Sequence, residues 1–533
     1  MMFLSSAYPV SHKVFAMKFA SAVLLLLVSS VRGAKILAWF TCPAVSHQSA
    51  FQPIWKALSL RGHEITVITP NPLNDILLIN LTEIDTGFTY KVWKEIDISN
   101  MRREISNAFR TLYYFHKVHE RSIEMSLQIE AVRNALEKPA GFYDLIIIEA
   151  HSPILFGLQH KLKSPLVAVS SLGFFNHLNY LIGNSIHPAL YPDFVSELSA
   201  PMTLLEKLDS LYLTIGNYLT NKFIISPHAD AVAKEYFGND MPYIEEMVRG
   251  ASVVFENINP VFADRRPLVP NSMQFSHVSF SRNELMDKDL KQILDNAKEG
   301  VVYFSLGTNV RFDHVQGDVK KTIMEALGDL PYTVICKWES EKLEGQPKNV
   351  HLRKWLPQQA ILAHPNVKAF VTQGGLQSAE EAIINAVPLV VIPFLGDQPL
   401  NAKILTSKGM AETISPKDLN RRILTESIMK VAQDEKYRNK AKELRDIFLD
   451  QPQSGIDKVI WWCEYVIRHK GAKHLRSPAA DIPLWEYFML DVLAVVLIAL
   501  YLVYKITKVT IKILLELFKR STASTTSKKK KKN

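Results

Sequence analysis

The amino-acid sequence predicts an α/β protein in which two doubly wound, parallel-sheet domains face a cleft and a transmembrane helix follows at the C-terminal end. Three observations carry this expectation. Short, continuously apolar runs alternate with helical patterns, which is the rhythm of βαβ units. The rhythm begins afresh after a polar, proline-containing stretch around 265–284. A run of Val, Leu, Ile and Ala then occupies 492–504. At 533 residues the chain is too long for one hydrophobic core, so at least two large domains are expected.

Composition narrows the class. A hydrophobic content of 47% with 22% charged residues describes globular domains plus a few apolar segments and excludes disorder over most of the length. Five of the positive charges behind the net +9 are the lysines at 528–532, so the body is nearly balanced. No basic stripe interleaved with aromatics occurs, and no nucleic-acid partner is expected. Cys42, Cys336 and Cys463 are odd in number and far apart, which fits neither a disulfide framework nor a zinc site.

At the N-terminus, Met17 and Lys18 precede the apolar run 22–28, and Val31 and Gly33 supply small residues for cleavage, so 1–33 reads as a signal peptide with 1–16 as an upstream extension. The run falls far short of the roughly 20 residues a membrane span needs. Entry into the secretory pathway makes Asn80, in Asn80-Leu81-Thr82, a glycosylation site. A strand at 35–40, a loop, a helix from about 48 to 61 and a strand at 64–69 form a βαβ unit. Strands at 144–149 and 165–170 extend its sheet, giving an N-terminal domain over 34–270. Strands at 301–305, 332–336, 350–353, 368–372 and 388–392 build a second domain over 271–450.

Helical sequence from about 427 to 469 follows, and 451–483 reads as a return segment leading to the membrane, with Trp461 and Trp462 marking a packing surface. The transmembrane helix is expected at 484–506. Asp491 would cost about 2.5–3.5 kcal/mol at mid-bilayer and so belongs near an interface, while Lys505 and Lys508 snorkel at the other end. The tail 507–533 is basic and therefore cytoplasmic, a single-pass type I topology with the domains lumenal. Lys530 and Lys531 stand fourth and third from the C-terminus, the spacing of a dilysine signal for the endoplasmic reticulum.

The strand at 368–372 runs into Gln373-Gly374-Gly375, and a helix-compatible run starts at once with Leu376. Strand, Gly-Gly, helix is a phosphate cradle: glycines let backbone N–H groups approach, and the helix N-terminus adds partial positive charge. The surrounding string FVTQGGLQSAEEAIINAVPLVVIPFLGDQ at 370–398, with WLPQQAILAHP at 355–365 and VVYFSLGTNV at 301–310, resembles the signature of the UDP-glycosyltransferases, and the QGGLQS wording is closest to insect members. The resemblance in layout covers about residue 34 to the tail. It implies two Rossmann-like domains of GT-B type, with the acceptor in the first half and the UDP-sugar mainly in the second.

Carried over residue by residue, the resemblance has Trp355 stack on uracil, Gln358 bind the nucleoside and Glu381 accept from ribose hydroxyls, with Glu380 a solvent-facing helix carboxylate. Ser305, Gly307, Thr372, Gln377 and Ser378 would surround the phosphates with Gly374 and Gly375, and Asp397 and Gln398 would hold sugar hydroxyls. Gln373 stands where many members have a histidine that contacts phosphate; its amide can donate but carries no charge.

Direct transfer with inversion needs a base for the acceptor hydroxyl, and an imidazole with a carboxylate partner suits that task. His47, after the first strand, occupies the family's base position, one of 16 histidines in the chain. Glu149 stands where the family usually has Asp, one methylene longer in reach. No metal-binding triad is evident near the phosphate loop, so no metal and no organic cofactor are expected; the UDP-sugar is a co-substrate, UDP-glucose by the insect-type resemblance. The implied function is an inverting transferase moving a hexose to a hydroxyl of a small lipophilic acceptor, in detoxification, its pocket drawn from about 80–240. A non-catalytic nucleotide-sugar-binding membrane protein is the competing reading, supported by Gln373 and Glu149 alone. The sequence carries no signal for an oligomeric partner.

Overall fold

A computed structural model of the chain describes residues 33–96, 108–194, 196–261, 266–276, 286–307, 317–338, 345–394 and 396–530. The expected signal peptide up to residue 32, residues 308–310 of the third family string, and the side chains of the lysine tail lie outside the described residues.

Seven strands make the first sheet: β1 Lys35–Trp39, β2 Glu64–Thr69, β3 Leu81–Asp85, β4 Leu145–Glu149, β5 Leu166–Ser170, β6 Val253–Asn257 and β7 Ser272–Phe275. They pair in parallel in the order β3-β2-β1-β4-β5-β6-β7. Six strands make the second: β8 Val301–Ser305, β9 Thr333–Lys337, β10 Val350–Arg353, β11 Val367–Thr372, β12 Leu389–Val391 and β13 Ala411–Thr413. Their order, β10-β9-β8-β11-β12-β13, repeats the winding of the first. Strands such as β4, Leu-Ile-Ile-Ile-Glu, are buried along their whole length because helices cover both faces.

The helices of eight residues or more are α1 Val45–Leu60, α2 Ala108–Ser126, α3 Leu204–Thr220, α4 Ser226–Phe237, α5 Lys288–Asp295, α6 Gly317–Gly328, α7 Leu376–Ile384, α8 Gln398–Ser407, α9 Arg421–Gln433, α10 Glu435–Leu449, α11 Gly455–His469 and α12 Leu490–Lys530. The first sheet's core joins Ile36, Phe51, Trp55, Leu145, Val167 and Phe255 to Val459, Cys463 and Val466 of α11. The chain thus leaves the second sheet and returns to the first, and α11 packs against α1. All three cysteines are buried free thiols.

Three expectations are corrected. The domain boundary at 270 falls before β7, which belongs to the first sheet; four residues, Ser-Met-Gln-Phe, pair alongside β6 inside a polar stretch that hides them. The helical sequence expected from about 427 to 469 comprises α9, α10 and α11, separated by Asp434 in extended conformation and by the Gln451-Pro452-Gln453 stretch. His47 lies in the first turn of α1, not in a loop, because the helix starts three residues earlier than its apolar pattern suggests. The membrane helix does not begin at 484: Leu484–Tyr487 is a separate short helix, Met489 has φ 53°, and α12 starts at Leu490 and carries on as helix through the region expected as tail.

The chain divides into two compact units, the first running to Ser477 and the second from Pro478 to Asn533. In the second unit, Leu490–Ser521 is long and apolar enough to cross a membrane, and none of its most apolar window is buried.

Candidate active site

Both sheets reverse their winding once, between β1 and β4 and between β8 and β11. At such a switch point the loops from the strands' carboxyl ends part in opposite directions and leave a crevice. The residues singled out above lie at these two places: His47 and Glu149 after β1 and at the end of β4, Ser305 at the end of β8, Gly307 after it, and Gln373 to Gly375 after β11.

Glu149 is completely buried. Its Oε2 accepts from the backbone N–H groups of Thr41 and Cys42, each at 2.8 Å, and the Thr41 hydroxyl lies 3.3 Å away. Burial pushes this carboxyl up, but His119, His47 and the Cys42 amide outweigh it and hold it at about 2. Oε1 has no hydrogen-bond partner among the described residues and lies 3.8 Å from His47 Nδ1, beyond hydrogen-bond reach. The ring is held instead by Ser171, whose Oγ is 2.7 Å from Nδ1. In the tautomer whose Nδ1–H donates to the Ser171 oxygen, Nε2 is the nitrogen free to take a proton. Burial opposes charging His47, but the Cys42 sulfur and the Glu149 carboxylate beside it raise its pKa well above the ordinary imidazole value.

His119 is the second imidazole on this carboxylate. Its Nδ1 is 2.7 Å from Thr41 Oγ1 and 3.9 Å from Glu149 Oε2, and burial lowers its pKa, so it is neutral. Cys42, His119 and Glu149 form a grouping close enough to hold a metal ion, within 4.8 Å of one another. Phe115 packs on the rings of His47, His119 and Phe175, next to an apolar cluster of Leu112, Phe175, Ile225 and Phe194.

In the second domain, Gly374 has φ 84°, and a Cβ there would sit 2.6 Å from Val391 Cγ1, so the turn into α7 requires glycine. Gly375 is the N-cap of α7. Gln373 is buried, its Oε1 accepting from Thr372 Oγ1 at 3.2 Å, and its Nε2 presses so closely on Gly307 that a Cβ on that residue would meet it at 2.2 Å. Ser305 Oγ accepts from Gly307 N. Trp355 is 61% exposed, a surface ring rather than a core one. Gln358 donates to Glu381 Oε2 (2.7 Å) and to Ser378 Oγ (3.0 Å) and accepts from the Tyr303 hydroxyl, so three expected nucleoside and phosphate ligands are bonded to one another.

Three placements differ from expectation. Gln377 does not point at the phosphate cradle; its Nε2 donates to the Ser171 carbonyl at 3.0 Å, joining the two halves. Gln398 is buried, with its Oε1 accepting from Phe394 N, which fixes the loop before α8. Asp397 is half-buried and accepts from Asn401, and burial raises its pKa. Glu380, expected to face solvent, is buried; one position earlier on α7 than Glu381, it turns to the packed side. Asn80 precedes the edge strand β3, half-buried, with Thr82 exposed.

Sequence reasoning missed Ser171 and Lys337. Ser171 follows β5 as the end of β4 precedes its own loop, one strand over, and this strand-end position is the signal that could have found it. Lys337 ends β9, with Nζ donating to the Gly307 carbonyl at 2.8 Å and lying 5.0 Å from the centre of the Trp355 ring.

The sequence profile of the family described as "UDP-glucoronosyl and UDP-glucosyl transferase" matches residues 34–528. The chain is 30% identical to UDP-glycosyltransferase UGT5 of Dactylopius coccus over 472 residues, 86% of this chain and 88% of that one. It is 31% identical to an ecdysteroid UDP-glucosyltransferase of Spodoptera littoralis nuclear polyhedrosis virus, covering 88% and 94%, and 29% identical to rat UDP-glucuronosyltransferase 2B1, covering 87% and 90%. Among solved structures, the calicheamicin glycosyltransferase CalG4 superposes with a TM-score of 0.55 at 17% identity, covering 82% of this chain and all of that one, a likeness of the two-domain GT-B fold.

Proposed function

Because the chain belongs to the UDP-glucuronosyl and UDP-glucosyl transferase family, we propose that this glycosyltransferase moves glucose from UDP-glucose to a hydroxyl of a small lipophilic acceptor, with inversion and with His47 as base. The observation that carries this reading is the placement of His47 at one switch point and the Gly374-Gly375 cradle at the other, tied by the bond from Gln377 to Ser171. In the reaction, the acceptor hydroxyl gives its proton to His47 Nε2 as its oxygen attacks the anomeric carbon. The bond to UDP breaks on the opposite face, and UDP leaves with the electron pair. Glu149, ionised at neutral pH, stabilises the imidazolium across 3.8 Å.

The glucosyl name of the baculoviral relative supports glucose as the sugar, and the apolar cluster around Phe115 supports a lipophilic acceptor. The charge developing on UDP is received by the N-terminus of α7 and nearby side chains, so this reading requires neither metal nor organic cofactor. The apolar helix supports a membrane-anchored enzyme, with its domains taken to be lumenal and Asn80, in Asn80-Leu81-Thr82, glycosylated.

The test is UDP release by membranes expressing the chain, with a panel of UDP-sugars and a phenolic acceptor. Release should depend on acceptor and be fastest with UDP-glucose. His47→Ala should lower turnover about 100-fold or more while leaving UDP binding intact. Near-normal turnover in that variant would remove His47 from the role.

A further inference from the structure

The cradle that would receive a diphosphate offers backbone N–H groups and the neutral amide of Gln373, while the nucleotide brings negative charge. We propose that Lys337 is the cation of this site and that its ammonium group binds the diphosphate of the nucleotide. The assignment rests on the UDP-sugar reading above.

Four residues line up across the carboxyl ends of neighbouring strands. Trp355 follows β10, Lys337 ends β9, Gly307 follows β8 and Gln373 follows β11, and these strands stand side by side in that order. The Gly307 backbone is bracketed from both sides. Lys337 Nζ bonds its carbonyl at 2.8 Å, and Gln373 Nε2 leaves no room for a side chain on it. A nucleoside stacked on the exposed face of Trp355, with its diphosphate reaching Gly374 and Gly375, must cross β9 and β8 and therefore pass Lys337.

The chemistry of the side chain suits the crossing. Lysine is a compact charge on a flexible stem, able to move a few ångströms without disturbing the strand that carries it. In the structure its ammonium bonds the Gly307 carbonyl and lies over the Trp355 ring. A phosphate oxygen at this place would give it a charge-assisted bond. The base would take the indole face and the diphosphate would take the ammonium, so the two exchanges accompany one binding event. Placing the cation on β9 also accounts for how Gln373 can do without a charge: the positive group stands on the other side of the same glycine.

The test compares binding of UDP and of uridine to the full chain in detergent, by calorimetry. Lys337→Met should weaken UDP about 10- to 100-fold, the span of one hydrogen bond to a charged group, while uridine affinity stays within about twofold. Lys337→Arg should keep UDP affinity, and UDP binding should depend on salt more steeply in the wild type than in Lys337→Met. Retained uridine binding shows that the variant is folded with Trp355 in place. If Lys337→Met weakens UDP and uridine alike, the lysine only supports Trp355 and the assignment falls; unchanged UDP affinity overturns it as well. A wild-type chain that binds no UDP overturns the donor reading itself, and with it this assignment.

Discussion

His47 accepts a proton only while Nε2 is unprotonated, so the groups around its ring set the pH range of the enzyme. Cys42 and Glu149 raise its pKa above the ordinary 6.5, and the neutral, active form is therefore lost as pH falls through that raised value. The acid limb of kcat/KM should have its midpoint above 6.5. Glu149→Gln removes the carboxylate while an amide oxygen can still accept from Thr41 and Cys42, and the limb should move to lower pH as the rate drops. A limb that stays where it was would mean Glu149 does not act on His47. Ser171 acts differently, by geometry. Ser171→Ala removes the bond that orients Nδ1, and kcat should fall about tenfold, the worth of one buried hydrogen bond, with KM for the UDP-sugar unchanged and Ser171→Thr restoring the rate. A change confined to KM would place Ser171 in donor binding instead. The sequence makes His47 and Glu149 visible because one follows and the other ends an apolar strand, at positions the family fills with chemistry. Ser171 and Lys337 are invisible there, since one serine after a strand and one lysine at its end acquire meaning only when neighbouring strands set them against His47 and Gly307.

Elements were legible in proportion to how fully they are buried. β1, β4, β5 and β8 read as strands because helices on both faces demand four consecutive apolar residues, and β11 reads as one through its shorter Ala-Phe-Val run. The edge strands β3, Leu-Thr-Glu-Ile-Asp, and β13, Ala-Glu-Thr, have polar letters at exposed or half-exposed positions, and their conformation comes from the partner strand. β7, at the other edge of the first sheet, is mostly buried, but its four residues mix polar and apolar letters, and that short, mixed run is why the expected boundary at 270 falls before it. The return helix α11 depends on one close approach. Gly455, its first residue, lies against the end of β7 so tightly that a Cβ would stand 2.0 Å from the Ser276 carbonyl oxygen. Backbone cannot yield as a flexible side chain can. Gly455→Ala should therefore push α11 off β7 and cost about 1–3 kcal/mol, read as a lower apparent Tm with the UDP affinity of the second domain retained. An unchanged Tm would show that the contact relaxes without cost.

At the scale of the whole molecule, the first unit holds every residue assigned a part in the proposed reaction, and the second holds the helix able to cross a membrane. Within the first unit the halves are bonded through Gln377 to the Ser171 carbonyl and through Lys403 to the Glu197 carbonyl, so the base and the donor cradle belong to one folded body. The cores of both sheets are built from residues before Ser477, the last contribution from the C-terminal side being α11 and its neighbours Ala472 and Leu475. The apolar side chains of α12, in contrast, are exposed along the span, as a helix solvated by lipid requires. Ending the chain after Ser477 should then release the protein from membranes into the alkaline-wash supernatant while UDP affinity stays at the full-length value. Persistent sedimentation with washed membranes would show that the first unit has its own hold on the bilayer, and loss of UDP binding in the soluble product would show that the nucleotide site needs residues beyond Ser477. The expected pairing of solubility with intact binding follows from the way burial is distributed: the forces that fold the nucleotide site are all on one side of Pro478, and those that favour lipid are on the other.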